Sequence, residues 1–273
     1  MAPRIEVLGA CGKSHRARYF VQEFFNTCKA RGLDVTLNQS YRGMRDWLVL
    51  WGVGGDKQLE AWHKHRESGR RVIMADIGYF NRAFDYKASS FRISVDDWHP
   101  QHHVFDAPPE RFAQTGIQLK NEYRADGHIL VCGMGIKSRK LYAKERWDYE
   151  MVQRLRALYP GRTIYYRPKP RQENERIEGA LPATDGSIED WLRGCFLCAT
   201  HHSNAAVDAA VHGVPCVAFD GIGAALYGND PGSPRNPQES ERLKFLQSVA
   251  WFNWMPSEMG KCISFLLNRF GQA

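Results

Sequence analysis

Short runs of apolar residues alternate with longer amphipathic stretches along the chain, and most runs end in glycine or polar residues. In the first half, Ile5–Leu8, Trp47–Trp51 and residues 71–75 have the length and the apolar character of buried strands. Apolar residues recur at four-residue steps over residues 17–31, which predicts a helix. Strands that alternate with helices are typical of the α/β class, in which helical crossovers make neighbouring strands parallel.

The second half contains one stretch in which this pattern is especially clear. A predicted strand at 196–200 ends in a polar cluster, a helix of small residues runs to Gly213, and a second strand follows. Ligands of parallel sheets collect at the carboxyl ends of strands, and the start of a helix attracts anions. The stretch therefore predicts a nucleotide or phosphate site whose polar groups are His201, His202, Ser203, Asn204 and Asp220.

The same stretch carries a family resemblance. Its spaced residues are Thr200, Ser203, Ala209, Gly213, Pro215 and Val217. Upstream lies the segment Arg167-Pro168-Lys169-Pro170, and downstream lies Ala225-Leu226-Tyr227. Together they resemble glycosyltransferases of the GT-B type, closest to the capsular-polysaccharide-synthesis branch and to small phage-type relatives. That branch commonly has His where this chain has Lys169. The resemblance covers residues 127–228 well and the first half only in layout.

The resemblance implies two Rossmann-like domains that face a cleft, with a nucleotide-sugar on the second domain and an acceptor on the first. Residues 106–126, which are rich in proline and mixed polar residues, mark a linker. We therefore expect an acceptor-side domain at 1–125 and a nucleotide-sugar-binding domain at 126–255. A last helix at 256–273 would pack back on the first domain.

In such a protein, positive side chains and a helix start neutralise the leaving phosphate. The resemblance places two glycines near the donor phosphates and a lysine and a serine beside them. The expected donor residues are Gly133, Gly135, Lys137, Ser138, Arg167, Lys169 and the 201–204 cluster. The residues alone leave two alternatives open: His201 with His202 as a satisfied pair at a strand end, and Arg167 with Lys169 as surface charges.

A base for the acceptor hydroxyl is expected at a strand end of the first half. Asp76 follows a predicted strand and is the first candidate, with Asp97 as the second; a local turn cap is an equally good interpretation of Asp76. The turn after the first strand ends in Lys-Ser but has Val7 where a P-loop requires glycine, so we interpret it as a plain turn into a helix. The resemblance to GT-B proteins implies that this loop faces the cleft. The expected acceptor contacts are Gly12, Lys13, Tyr79, Arg82 and Trp98.

Composition excludes several other classes of protein. With 43% hydrophobic and 25% charged residues, and without an apolar run of membrane-spanning length, the chain predicts no stable membrane insertion. Its N-terminus lacks an apolar signal core, which predicts a cytoplasmic protein. Seven scattered cysteines do not form a disulfide framework. The sequence has no D-x-D motif, and no second acidic cluster accompanies Asp96-Asp97, so we expect neither a metal nor a cofactor besides the nucleotide-sugar co-substrate.

Charge bears on the acceptor. The net charge is +7; residues 1–125 carry 19 Lys and Arg against 14 Asp and Glu, and the remainder carries 18 against 16. A basic first half favours a polyanion. We therefore expect double-stranded DNA with a hydroxylated base as acceptor, as in phage DNA glucosyltransferases. The alternatives are a saccharide of a capsule or surface polysaccharide, a nucleotide-sugar epimerase, and a non-catalytic nucleotide- or nucleic-acid-binding module.

Overall fold

The computed structural model describes residues 2–10, 14–170 and 172–271, and the chain divides into two compact units. Unit 1 comprises Met1–Pro100 together with Ala250–Ala273, and unit 2 comprises Gln101–Val249. None of the helices in the described ranges is long and apolar enough to cross a membrane.

Unit 1 is built on a six-stranded sheet with the order β11-β5-β4-β3-β1-β2. Its strands are β1 (Ile5–Leu8), β2 (Val35–Asn38), β3 (Trp47–Trp51), β4 (Arg71–Ile77), β5 (Phe91–Val95) and β11 (Asn253–Trp254). Its helices are α1 (His15–Ala30), α2 (Asp56–Glu67) and α9 (Met259–Phe270). The strands β1, β2, β3 and β4 are parallel to one another, whereas β5 is antiparallel to β4 and β11 is antiparallel to β5.

The apolar pattern explains the layers of unit 1. The run Trp47–Trp51 forms β3 at the centre of the sheet, and four of its five residues are buried. Helix α1 begins at a Ser14 cap, whose hydroxyl accepts a hydrogen bond from the Ala17 amide at 3.2 Å. Its predicted apolar stripe is buried at Phe20 and Phe24, and α9 packs against α1. The hydrophobic effect thus fixes both helices to unit 1.

Unit 2 is built on a five-stranded parallel sheet with the order β10-β9-β6-β7-β8. Its strands are β6 (His128–Cys132), β7 (Ile164–Arg167), β8 (Leu181–Pro182), β9 (Cys195–Thr200) and β10 (Cys216–Ala218). Its helices are α3 (Glu110–Ala113), α4 (Ile136–Leu141), α5 (Trp147–Leu158), α6 (Ile188–Leu192) and α7 (Ala205–His212), and α8 (Glu239–Ala250) ends at the boundary with unit 1.

The core of unit 2 lies between its central strands and α5. Ile129 on β6, Leu197 on β9 and Leu155 on α5 are each 0% exposed. Cys195 and Cys198 on β9 are also 0% exposed, as the apolar character of that strand predicts. The predicted α/β class is confirmed for both units; the sheet of unit 2 is wholly parallel, whereas the sheet of unit 1 is mixed.

Candidate functional site

The carboxyl ends of four parallel strands lie in a row in unit 2. Cys132 at the end of β6 is in register with Arg167 on β7 and with Thr200 on β9, which in turn is in register with Ala218 on β10. The loops after these strands therefore leave the sheet at one edge. Because ligands of parallel sheets bind at this edge, we expect a ligand site among these loops.

Four side chains predicted to bind a donor meet there in two pairs. The Lys169 ammonium donates a hydrogen bond to the Ser203 hydroxyl at 2.8 Å. The His202 Nε2 atom lies 3.2 Å from the Ser138 hydroxyl. These residues come from the loops after β7 and β9 and from α4, so the fold brings together residues that are up to 65 positions apart in the sequence. We call Ser138, Lys169, His202 and Ser203 the candidate donor site.

His201 and His202 form a polar pair with unequal surroundings. Their Nδ1 atoms are 3.2 Å apart, so one must carry a proton and the other must accept it. Burial lowers the pKa of His201, with Asp220 opposing and Lys144 reinforcing the effect. His201 is 6% exposed, and its ring lies 5.6 Å from that of Trp147. His201 therefore fits the alternative of a satisfied residue at a strand end, whereas His202 extends to Ser138.

The turn into α7 uses most of its amides internally. The Ser203 amide donates to the Thr200 hydroxyl at 3.1 Å, and the Ala206 amide donates to the Ser203 carbonyl at 3.2 Å. The Ala205 amide also reaches the Ser203 hydroxyl, at 3.4 Å. The sequence predicts that amides at this helix start bind an anion. In the structure, amides of this turn already have partners within the turn, and it is the side chains of the candidate donor site that converge. Asn204 is the residue that precedes α7.

The two predicted phosphate-binding glycines have different surroundings. A Cβ atom on Gly133 would lie 2.5 Å from the Tyr166 hydroxyl, so a buried tyrosine occupies the space that the missing side chain leaves. A Cβ atom on Gly135 would find its nearest neighbours at 3.8 Å from Gln172 and 3.9 Å from Lys169. Only Gly135 therefore offers open space, and it lies beside the candidate donor site.

Three other predicted donor residues have neighbours outside this cluster. The Arg167 guanidinium donates to the carbonyls of Ala183 at 3.2 Å and Gly186 at 2.9 Å, so it supports the loop after β8. Lys137 is exposed on α4. The Asp220 carboxylate accepts a hydrogen bond from Gln101 at 3.1 Å. Their part in donor binding stays a prediction.

Two residues that sequence reasoning missed lie against the histidine pair. The Tyr142 ring stacks on His202 with centroids 4.8 Å apart and an interplanar angle of 24°. The positive charge of Lys144 lies close enough to His201 to lower its pKa. Both follow α4 around Ala143, whose φ of 50° makes a sharp turn. The basic run from Lys137 to Lys144 is a sequence signal that could have marked the position of Lys144, whereas nothing local marks Tyr142.

In unit 1, the predicted base is already paired. Asp76 lies near the end of β4, where its Oδ2 accepts from the Arg92 guanidinium at 3.2 Å and its Oδ1 accepts from the Ile77 amide at 2.8 Å. The Arg92 side chain is only 6% exposed, and that of Asp76 is 39% exposed. Asp76 therefore supplies the counter-charge of a buried cation, while part of its carboxylate still reaches solvent.

The second predicted base lies elsewhere, because β5 is antiparallel. Asp97 follows Asp96, whose amide donates to the Val72 carbonyl at 2.7 Å, beside the amino end of β4. Asp76 is at the other end of the same strand. A sequence does not show the direction of a strand, and a reversed strand delivers its terminal residues to the opposite edge of the sheet. The Asp97 carboxylate accepts from the Trp98 amide at 2.7 Å.

The predicted acceptor contacts differ in burial, and two of them lie around the Arg92 guanidinium, which is 5.9 Å from the Tyr79 ring centroid and donates to the Trp98 carbonyl at 3.0 Å. Tyr79 is 1% exposed, and burial raises its pKa to about 12, so its ring belongs to the core and contact with an acceptor would require its displacement. Trp98 packs on Trp62 with centroids 5.8 Å apart, and Arg82 is exposed on the loop after β4. The two remaining contacts, Gly12 and Lys13, lie outside the described residues.

An aromatic crevice opens on the face of the unit 1 sheet opposite to the Asp76 side chain. It encloses about 260 Å³ of empty space, part of it open to solvent. Its lining includes Arg16, Tyr19, Glu23, Trp51 and Tyr86. Trp51 is in register with Ala75, and side chains alternate along a strand, so the next residue, Asp76, projects from the opposite face.

Comparison with known proteins supports the fold. No family model matches the chain, and no curated protein matches it in sequence. Two solved structures of Thermosulfurimonas dismutans KpsC align over 92% of this chain and 91% of theirs, each with a TM-score of 0.58. One is a beta Kdo 2,4 transferase at 13% identity, and the other is a beta Kdo 2,7 transferase at 17% identity.

A third solved structure is more distant. It is a Methanocaldococcus jannaschii UDP-GlcNAc 2-epimerase in complex with UDP-GlcNAc and UDP, with a TM-score of 0.30 and 9% identity over 91% of this chain and 99% of its own. That score is too low to carry an argument. The two KpsC structures show that the chain has a fold similar to theirs, and identities of this size show nothing further. A likeness to phage-type relatives stays a prediction.

Proposed function

We propose that the protein is a glycosyltransferase that moves a sugar from a nucleotide-sugar to a hydroxyl group of a saccharide. The observation that carries the proposal is the convergence of Ser138, Lys169, His202 and Ser203 at the carboxyl edge of the unit 2 sheet. The likeness of fold to two Kdo transferases supports it.

The candidate donor site contains the groups that the reaction requires. Cleavage of a nucleotide-sugar leaves negative charge on a phosphate, and the Lys169 ammonium can stabilise that charge. Ser203, which accepts from Lys169 at 2.8 Å, holds the ammonium in place. The Nε2 atom of His202 can donate a hydrogen bond to the same phosphate in place of its contact with Ser138, while Nδ1 keeps its contact with His201. Gly135 leaves open space beside Lys169.

Unit 1 is the proposed acceptor side. It carries 18 Lys and Arg against 12 Asp and Glu, a net charge of +6, whereas unit 2 carries 19 against 18, a net charge of +1. A basic unit suits an anionic acceptor. Because the structural neighbours are named as transferases of the sugar Kdo, we favour a saccharide acceptor over the hydroxylated DNA base that the charge alone predicts.

Asp76 remains the proposed base. Part of its carboxylate is exposed, as proton transfer from a hydroxyl requires, but the Arg92 guanidinium holds one of its oxygens. The acceptor hydroxyl would approach the exposed part. The pairing with Arg92 is also the observation that favours a second candidate function, a nucleotide-binding module without catalysis.

The test is a transfer assay with the purified protein and a panel of nucleotide-sugars. Release of nucleotide is measured with acidic oligosaccharides, with neutral oligosaccharides, with duplex DNA that contains hydroxymethylated cytosine, and without acceptor. We expect turnover that depends on an acidic oligosaccharide. Turnover with DNA alone would reject the saccharide acceptor, and nucleotide binding without turnover on any acceptor would favour the non-catalytic module.

A further inference from the structure

A buried polar cluster lies behind the candidate donor site and takes no part in the chemistry described above. It consists of Arg139 on α4, Asp148 on α5, Tyr166 on β7 and Glu175 on the loop after β7. Their side chains are largely shielded from solvent: Arg139 is 14% exposed, Asp148 is 2% exposed and Glu175 is 24% exposed. Burying this many polar groups is costly unless every one is paired.

The Tyr166 hydroxyl is the hub of the cluster. It lies 2.9 Å from the Asp148 carboxylate and 2.8 Å from the Glu175 carboxylate. Arg139 donates to both acids and forms a fork with Glu175, with distances of 2.6 and 2.7 Å. Removal of the hydroxyl would therefore remove the group that both carboxylates contact.

The two acids of the cluster have different electrostatic surroundings. Burial raises the pKa of Asp148, whereas Glu175 has a lowered pKa, because hydrogen bonds from Arg139 and Tyr166 together outweigh its burial. The buried hydroxyl and guanidinium thus contact two carboxylates whose pKa values shift in opposite directions.

Three connections lead from the cluster to the candidate donor site. Arg139 is the neighbour of Ser138 on α4, and Ser138 contacts His202. Asp148 accepts a hydrogen bond from the Met134 amide at 3.0 Å, which fixes the loop between Gly133 and Gly135. The remaining connection runs through the loop after β7.

That loop is held by one glutamine. Gln172 donates to Glu175 at 3.2 Å and accepts a hydrogen bond from the Ile136 amide, the first of α4, at 3.3 Å. Its own amide donates to the Lys169 carbonyl at 2.9 Å. The loop that presents Lys169 and the helix that presents Ser138 are therefore tied to the same buried hub.

We propose that Tyr166, Arg139 and Gln172 are positioning residues for donor binding: they fix α4 and the loop after β7 so that Ser138 and Lys169 converge. The inference rests on the proposed function, since it assumes that these side chains bind a nucleotide. None of the three needs to touch the ligand. Their effect on the ligand is to keep its partners within hydrogen-bonding distance.

The test compares two tyrosines on the same strand. Tyr166→Phe removes the hydroxyl of the cluster and keeps the ring. Tyr165→Phe makes the same change on the other face of β7, where the centroid of the ring lies 4.8 Å from that of Trp191. Calorimetric titration with UMP, UDP, CMP, GDP and ADP first identifies the nucleotide that the unaltered protein binds. For that nucleotide, we expect Tyr166→Phe to raise Kd about tenfold and Tyr165→Phe to leave it unchanged.

A second variant keeps the inference open to refutation if Tyr166→Phe does not fold. Gln172→Ala keeps the contacts among Arg139, Asp148, Tyr166 and Glu175 and removes only the side-chain link from the loop after β7 to Glu175 and to the Ile136 amide. We therefore expect a smaller rise in Kd, with the unfolding midpoint unchanged. In the transfer assay, the KM for the donor should rise while kcat at saturating donor stays constant, a split that a general loss of stability does not produce.

The outcomes separate the two proposals. Binding by the unaltered protein together with equal Kd values for Tyr166→Phe, Gln172→Ala and Tyr165→Phe would overturn the positioning role and leave the donor site standing. Failure of the unaltered, folded protein to bind any nucleotide in the panel would overturn the proposed function and the inference with it.

Discussion

The two units use similar sheets but arrange their polar residues differently. In unit 2 all five strands are parallel, and residues from several strand ends meet at one edge. In unit 1 the antiparallel β5 places Asp97 beside the amino end of β4, while Asp76 lies near the carboxyl end. Strand direction therefore decides whether polar strand ends become one site or remain separate.

The unit with the larger net charge is not the unit whose candidate residues converge. Unit 1 carries a net charge of +6 and has its two candidate bases at opposite ends of β4, whereas unit 2 carries +1 and brings four candidate donor residues together. A broad positive charge attracts polyanions without selecting one, whereas a few converged donors select a particular ligand. Under the proposed function, unit 2 recognises the nucleotide and unit 1 attracts an anionic acceptor.

The largest expected effect concerns the proposed base in unit 1. If Asp76 is the base, Asp76→Asn should lower kcat about 100-fold or more, because general bases contribute factors of this size. The nucleotide Kd should not change, since the donor binds to unit 2. The transfer assay and calorimetric titration measure the two quantities on the same preparation.

Asp97→Asn is the matched control for that variant. It removes a carboxylate near the amino end of β4 and should leave kcat within about twofold of the unaltered protein. Equal activity of Asp76→Asn and the unaltered protein would refute Asp76 as the base. A fall in the unfolding midpoint of Asp76→Asn would instead report the loss of the Arg92 counter-charge, so thermal unfolding accompanies the assay.

The next largest effect distinguishes the two glycines before α4 in unit 2. Gly133→Ala should destabilise the protein by about 1–3 kcal/mol, since the new methyl group would overlap the Tyr166 hydroxyl. Gly135→Ala meets nothing closer than 3.8 Å, so it should change stability little and weaken nucleotide binding by filling the space beside Lys169. Urea unfolding and nucleotide titration of both variants measure the contrast; the reverse pattern would show that Gly133 faces the ligand.

The smallest expected effect concerns pH. The pKa of His201 is lowered in the folded protein, so below its ordinary value of about 6.5 the unfolded chain binds a proton that the folded chain does not. Stability therefore falls as pH drops through this window and is constant above it. Between pH 7.5 and 5, the free energy of unfolding should fall less for His201→Gln than for the unaltered protein. The two slopes should differ by at most about 1.4 kcal/mol per pH unit.

Exposed His63 provides the control for the pH experiment. His63→Gln should retain the full pH dependence, and urea unfolding at the two pH values measures all three proteins. The lowered pKa of buried His65 acts in the same direction and remains in every variant, so part of the slope persists. Identical slopes for His201→Gln and the unaltered protein would show that His201 is not buried as a neutral ring.

Local patterns predicted the elements of this chain because their causes are local. Burial of apolar runs gives β3, and the stripe on α1 gives the helix. The 195–221 stretch correctly predicted a strand, a helix ended by Gly213 and a parallel second strand, since a short crossover allows little else. These features depend on neighbours within about 30 positions in the chain.

What the sequence could not provide depends on distant neighbours. The reason for Gly133 is the Tyr166 hydroxyl, 33 positions away, and the partner of Lys169 is Ser203, 34 positions away. The direction of β5 depends on its pairing with β4 and β11 and not on its own alternation. Tyr142 gave no signal at all, because nothing in its local pattern marks a ring that stacks on His202.

If Ser138, Lys169, His202 and Ser203 form a nucleotide-binding site, calorimetric titration of Lys169→Ala should show weaker nucleotide binding. Loss of an ion pair with phosphate should raise the nucleotide Kd by about 10- to 100-fold. Lys29→Ala, which removes an exposed lysine of α1, should bind as the unaltered protein does. Equal Kd values for Lys169→Ala and the unaltered protein would contradict the claim.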